Sequence, residues 1–188
     1  LASGPRPASD VLVALWSGEE LGLLGSEHWA RAPTIPLERI AANVNLDMVG
    51  RAGNSKLSVL GAGSAKEFSL LLASAGPRAR LDLEVSLSGQ GVGGSDHQTF
   101  LKREIPALHF FTGLHADYHR PSDDYARFGP EGARRVAPLV LDLVDDLASD
   151  GNLAFVPPAK EAPGATPGGF KTRFGSIPDY VFEGPGMR

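Results

Sequence analysis

Glu19 and Glu20 are adjacent carboxylates in the run Gly18-Glu19-Glu20-Leu21-Gly22-Leu23-Leu24-Gly25-Ser26, where an apolar stretch, Val11 to Trp16, gives way to a helical pattern. Two acids held together repel each other and resist desolvation unless a cation or a shared proton offsets the charge. The pair therefore admits two readings. One is a metal ligand beside a general base; the other is the exposed first turn of a helix, where glutamate suits the positive end of the helix dipole.

Three later segments carry residues of the same chemistry. Ile40-Ala41-Ala42-Asn43-Val44-Asn45-Leu46-Asp47-Met48-Val49-Gly50 reads as a strand that ends in a carboxylate at the edge of a glycine turn. Gly93-Gly94-Ser95-Asp96-His97-Gln98-Thr99-Phe100 reads as a glycine loop feeding a short helix, and Asp117-Tyr118-His119-Arg120-Pro121-Ser122-Asp123-Asp124 follows another apolar strand. Taken singly, Asp47 is equally a turn cap and His119 a loop histidine.

In this order the four blocks resemble the co-catalytic zinc aminopeptidases, the clan that also holds glutamate carboxypeptidase, glutaminyl cyclase and the transferrin receptor. The resemblance runs from about Val11 to the helix near Leu147. It implies a zinc-dependent exopeptidase that removes amino-terminal residues from a peptide substrate, with two zinc ions in the parent enzyme. Carried over by motif, Glu19 is the general base that takes a proton from the attacking water and passes it to the leaving amine. Glu20 is a zinc ligand, Asp47 the ligand of the other zinc, and His119 the ligand that shares a metal with Glu20. Tyr118 matches a tyrosine that donates to the developing oxyanion. Gly94 matches a backbone position that receives the substrate's free amine, and Asp96 is assigned to the same substrate-binding loop. Asp96 and Asp123 are also read as carboxylates that orient ligands or cap turns, and His97 and His109 as structural. His115 leads into the ligand block. Asp124 stands where many members of the family have threonine.

Members of that family carry a His-x-Asp motif upstream of the paired glutamates, and here no histidine precedes His28. The expectation is therefore the C-terminal part of a peptidase domain, with three of five protein ligands, one zinc or none in this chain, and no activity of its own. Alternatives on the same scaffold are glutaminyl cyclase and a non-enzymatic interaction domain.

The elements that would position these residues alternate between strand and helix. Val11 to Trp16 reads as a strand buried on both faces, Gly22 to Arg31 as a helix, Ile40 to Met48 and Lys56 to Leu60 as strands. Ala65 to Ser74 places Phe68, Leu71 and Leu72 on one helical stripe; Leu81 to Val85 and Ile105 to Phe111 complete the strands. Pro130 to Leu147 is a helix with proline in its first turn and Val136, Leu139, Val140, Leu143, Val144 and Leu147 at helical spacing. The fold class is α/β, a mostly parallel sheet with helices on both faces and its N-terminal part missing, in which ligands gather beyond the carboxyl ends of the strands.

Residues 1–153 form the peptidase part in this reading. Residues 154–169, rich in proline and glycine, form a linker, and 170–188 are the truncated first strand of a PDZ-like domain or a tail packing back on the core. A hydrophobic content of 42% supports a sizeable core. The formal charge of -4, with acids and bases interspersed, gives no basic face for nucleic acid, and no apolar stretch is long enough to span a bilayer. Zero cysteines exclude thiolate zinc ligands, leaving His, Asp and Glu. Richness in Ala, Gly, Arg and Pro hints at a bacterium with a GC-rich genome, and the expected location is periplasmic or extracellular.

Overall fold

A computed structural model of the chain describes residues 7–51, 56–79, 82–85, 94–150 and 152–157. Within them, strands β1 (Asn43–Asp47), β2 (Lys56–Leu60), β3 (Asp82–Val85) and β4 (Ala107–Phe111) form one sheet in the spatial order β1-β4-β2-β3. β1 runs parallel to β4 and β2 parallel to β3, while β2 and β4 are antiparallel. The sheet is thus mostly parallel, as expected, with one antiparallel joint at its centre.

Four helices, α1 (Leu24–Arg31), α2 (Glu67–Ala79), α3 (His97–Leu101) and α4 (Pro130–Asp150), accompany these strands. Alternation along β4 sends its side chains to two different surroundings. Leu108 and Phe110 join Leu57 and Val59 of β2, Phe68 and Leu72 of α2, and Val136, Leu139 and Leu143 of α4 in the main core. Ala107 belongs to a second cluster with Phe100 of α3 and Ile105, against which Trp16, Trp29 and Ile40 pack. Trp16, Trp29 and Phe100 form a tilted aromatic trio with ring centroids 5.7 to 6.2 Å apart. Helices therefore cover both faces, and the apolar stripe of α4 falls where its spacing puts it.

One sequence expectation is corrected. Val11 to Trp16 does not form a strand: Val13 is 82% and Leu15 94% exposed, and no described strand lies alongside them. An apolar run supplies the side chains for a buried strand but not the neighbour that satisfies its backbone. Only Trp16 turns inward. At the start of the expected linker, Phe155 bridges Ala65, and the Val156 amide donates to the Ser64 carbonyl at 2.8 Å. The rest of the linker and the PDZ-like segment, 158–188, lie outside the described residues. No helix among the described residues is long and apolar enough to cross a membrane.

Gly61 and Ser64 lock the end of β2 against the start of β4. Ser64 Oγ donates to the Gly61 carbonyl at 2.7 Å and accepts from the Ala107 amide at 3.0 Å. Gly61 has φ +80°, and a Cβ there would lie 2.3 Å from the Ala107 carbonyl oxygen, which is backbone and cannot move aside. Gly61→Ala is therefore expected to destabilise the chain by about 1–3 kcal/mol, from the left-handed backbone and the clash together. Chemical denaturation measures this, and an unchanged midpoint would contradict the packing described.

Candidate active site

The segment that carries Glu19 and Glu20 is shaped by glycines. Gly18 and Gly22 flank the 3₁₀ turn Glu19–Leu21 with φ of +65° and +99°, a backbone region open chiefly to glycine. Gly25, in the first turn of α1, lies so close to Ser17 that a Cβ would meet its carbonyl oxygen at 2.6 Å, and the Gly25 amide donates to that oxygen at 2.8 Å. The glutamates thus sit in a short turn ahead of α1 rather than in its first helical turn, as the bland reading had it. α1 is fastened to α3 by Ser26 Oγ and Thr99 Oγ1, 2.9 Å apart, and by Arg103, which donates to Glu27 at 2.9 Å. Arg103 holds the Glu27 carboxyl at about 2, well below its ordinary value.

Asp47 ends β1 and His119 lies in the loop after β4. Parallel pairing in the register Asp47↔Phe111 delivers both to the same edge of the sheet. Glu20 Oε2 and His119 Nε2 are 2.9 Å apart although 99 positions separate them in the chain. Glu19 feels the negative charges of Glu20, Asp47 and Asp96 and the positive influence of His119. Of the four residues expected to converge, Glu20 and His119 are in contact, while Asp47 acts on Glu19 through its charge. The Tyr118 ring stacks on His119 at 3.8 Å.

Burial, first, and then the three neighbouring carboxylates raise the Glu19 pKa from 4.5 to about 7. Asp96 is also raised, mainly by burial and then by Asp47, against a lowering hydrogen bond from Ser26. Its Oδ1 is buried without a hydrogen-bond partner among the described residues. Asp96 precedes α3, but its side chain makes no capping bond, so the capping alternative fails for it. Asp124, by contrast, caps the turn Tyr125–Arg127 by accepting from the Ala126 amide at 2.9 Å. Gly94 is exposed beside this loop.

His97 and His109 are both buried. Their rings stack at 4.4 Å, and burial pushes His97 down to about 3 and lowers His109 as well. Asn45 Nδ2 meets His109 Nδ1 at 3.0 Å and donates to Ser95 Oγ at 2.9 Å, tying β1 to β4 and to the loop ahead of α3. His115 lies 3.6 Å from Asp123 and edge-on to Tyr118, not at Glu20. Asp123 contacts Arg51, a residue that sequence reading did not single out. Met48 and His119 both have φ of 55°, an uncommon and costly backbone for non-glycine residues that clusters at functional sites.

The donor set fits zinc in chemistry. Glu20 and His119 pair directly at hydrogen-bond distance, closer than the roughly 3.3–3.6 Å between two ligand atoms of a tetrahedral zinc, so holding an ion would part them slightly. Concentrated carboxylate charge around Glu19 also favours a cation. Among the described residues, however, no three His, Asp or Glu side chains gather close enough to enclose one ion.

Carboxylates and an imidazole thus lie beyond the carboxyl ends of the parallel strands β1 and β4 of an α/β fold. The family model of Peptidase family M28 matches residues 1–144, and the chain belongs to that family. It is 29% identical over 134 residues to leucine aminopeptidase 2 of Trichophyton rubrum, covering 64% of this chain and 26% of that one. It is 28% identical over 128 residues to leupeptin-inactivating enzyme 1 of Streptomyces exfoliatus, covering 68% and 28%. Among solved structures, a zinc aminopeptidase from Bacillus subtilis superposes with TM-score 0.61 at 27% identity, over 72% of this chain and 35% of that one. The LapA aminopeptidase of Legionella pneumophila shares the fold at TM-score 0.58 and 23% identity, over 71% and 38%. The chain thus spans about a quarter of the length of the curated relatives it matches.

The raised pKa of Glu19 has a sign that can be tested on the chelator-treated chain. The folded state holds this proton to about pH 7 and the unfolded state only to about 4.5, so stability is lost as pH rises from 4.5 through 7. Glu19→Gln removes the charge that causes the loss. It is expected to raise the melting temperature at pH 8 relative to the parent chain and to leave it nearly unchanged at pH 4.5. Equal shifts at the two pH values would show that Glu19 is not crowded by its neighbours.

Proposed function

We propose that the chain is the C-terminal part of a zinc-dependent aminopeptidase that removes amino-terminal residues from peptides, and that its activity requires ligands from a longer protein. The observation that carries this reading is the meeting of Glu20 and His119 at 2.9 Å beside a Glu19 whose pKa stands at about 7. Membership of Peptidase family M28 and the likeness to aminopeptidases of Bacillus, Streptomyces and Trichophyton support it.

In this reading Glu20, His119 and Asp47 hold zinc, two ions in the complete enzyme. Bound there, zinc polarises the scissile carbonyl and makes an attacking water more acidic. Glu19 takes the proton from that water as it attacks the carbonyl carbon. The same proton then passes from Glu19 to the amine nitrogen as the peptide bond breaks. A base with a pKa near 7 is suited to both transfers at neutral pH. The Tyr118 hydroxyl donates to the oxygen that gains charge. The loop of Gly94 and Asp96 receives the substrate's ammonium group and so selects unblocked peptides. An exported bacterial location, with a peptide substrate and no nucleic acid, completes the proposal.

The test separates base from ligand in the protein extended upstream of Leu1. Glu19→Gln is expected to retain zinc while turnover of an amino-acid anilide falls by roughly 10² to 10⁴, the usual share of a general base. Glu20→Gln is expected to lower zinc content itself. Emptying of the site by Glu19→Gln alone would reverse the assignments. The chain by itself is expected to show no chelator-sensitive turnover with or without added zinc, because among the described residues no three His, Asp or Glu side chains gather to close a metal site. Measured turnover by the chain alone would overturn that part of the proposal.

A further inference from the structure

We propose that Arg51 is a positioning residue: its contacts with Asp117 and Asp123 latch the loop that carries His119 onto the turn that follows Asp47. Arg51 closes the 3₁₀ turn Val49–Arg51, four residues beyond Asp47. Its Nη2 lies 3.3 Å from Asp117 Oδ2 and contacts Asp123 Oδ1 as well. Those two aspartates bracket His119, one two residues before it and the other four after. A single guanidinium therefore grips both stems of the segment that bears the imidazole.

Other contacts align the same two segments. Thr112 Oγ1 donates to the Met48 carbonyl, and the Gly129 amide donates to the Gly50 carbonyl at 2.7 Å. The Phe128 ring lies so close over Gly50 that a Cβ there would meet it at 2.6 Å. Within the loop, Ser122 Oγ donates to Asp117 Oδ1 at 2.8 Å, occupying the carboxylate oxygen that Arg51 leaves.

His119 needs such support. Its side chain is 54% exposed, so core packing does not hold it, and its φ of 55° is a conformation that must be imposed by its surroundings. Arg51, Asp117 and Asp123 are themselves only partly buried, so the ion pairs add little to global stability. Their effect is on geometry. With the latch closed, the segments carrying Asp47 and His119 move as one body, and the distance between a carboxylate and an imidazole assigned to zinc is fixed.

Two measurements test the latch, and only the second rests on the proposed function. In hydrogen exchange on the chain itself, Arg51→Gln is expected to speed exchange across 112–124 while β4 and α4 keep their rates and the melting temperature is unchanged. In the upstream-extended protein, the same variant is expected to weaken zinc affinity about 10- to 100-fold by chelator competition, as loss of a ligand-orienting partner does, and to lower kcat with little change in KM. Arg51→Lys keeps the charge on a shorter side chain without the planar fork, so it should restore part of both losses. Adding Asp117→Asn and Asp123→Asn to Arg51→Gln should cause no further loss, because the three act as one unit. Unchanged exchange in 112–124 overturns the latch, as do additive losses. An extended parent protein that neither binds zinc nor cleaves the anilide would instead remove the proposed function, leaving the exchange experiment to decide the latch.

Discussion

Parallel strands deliver their carboxyl ends to one edge, and the pairing of β1 with β4 in the register Asp47↔Phe111 turns that rule into a site. One strand contributes a carboxylate as its last residue; the other releases a loop that returns an imidazole. Everything polar near the sheet's edge is organised about this pairing. Asn45 crosses it to His109 and reaches Ser95, so the loop leading into α3 is tied to the same register. A slip of one residue would send Asp47 to the opposite face of the sheet and break each of these contacts.

The site is electrostatically costly for the folded chain. Glu19 is surrounded by Glu20, Asp47 and Asp96, and burial deprives it of the water that would screen them. His119 offsets part of this through Glu20, but the balance stays negative. Such crowding is the kind of arrangement that perturbs pKa values at functional sites, and it is the electrostatic ground of the proposed function. The surrounding scaffold is correspondingly firm. The aromatic trio of Trp16, Trp29 and Phe100 and the Glu27–Arg103 pair hold α1 and α3 together beneath the carboxylates.

Much of this was legible in the residues, and the failures have physical causes. Lys56 to Leu60 is a strand as read, and α4 follows the spacing of Val136, Leu139 and Leu143, because periodicity reports which side chains seek a core. Val11 to Trp16 has the same kind of pattern without the outcome, since a side-chain pattern does not reveal whether a neighbouring strand exists. The convergence of Glu20 with His119 was recoverable because each block carried its own signature. Arg51 carried none. Its partners are 66 and 72 positions away and the pairing is made by the fold, so nothing in the sequence around Gly50 distinguishes it from a surface arginine.

The uncovered stretch from Val11 to Leu15 governs how the chain behaves as a colloid. Val11, Leu12, Val13 and Leu15 present apolar side chains to water from an extended backbone with no ladder partner among the described residues. That combination recruits strands from other molecules, because pairing satisfies backbone groups and removes apolar surface in one step. Crowding the chain in solution would favour edge-to-edge association at that stretch.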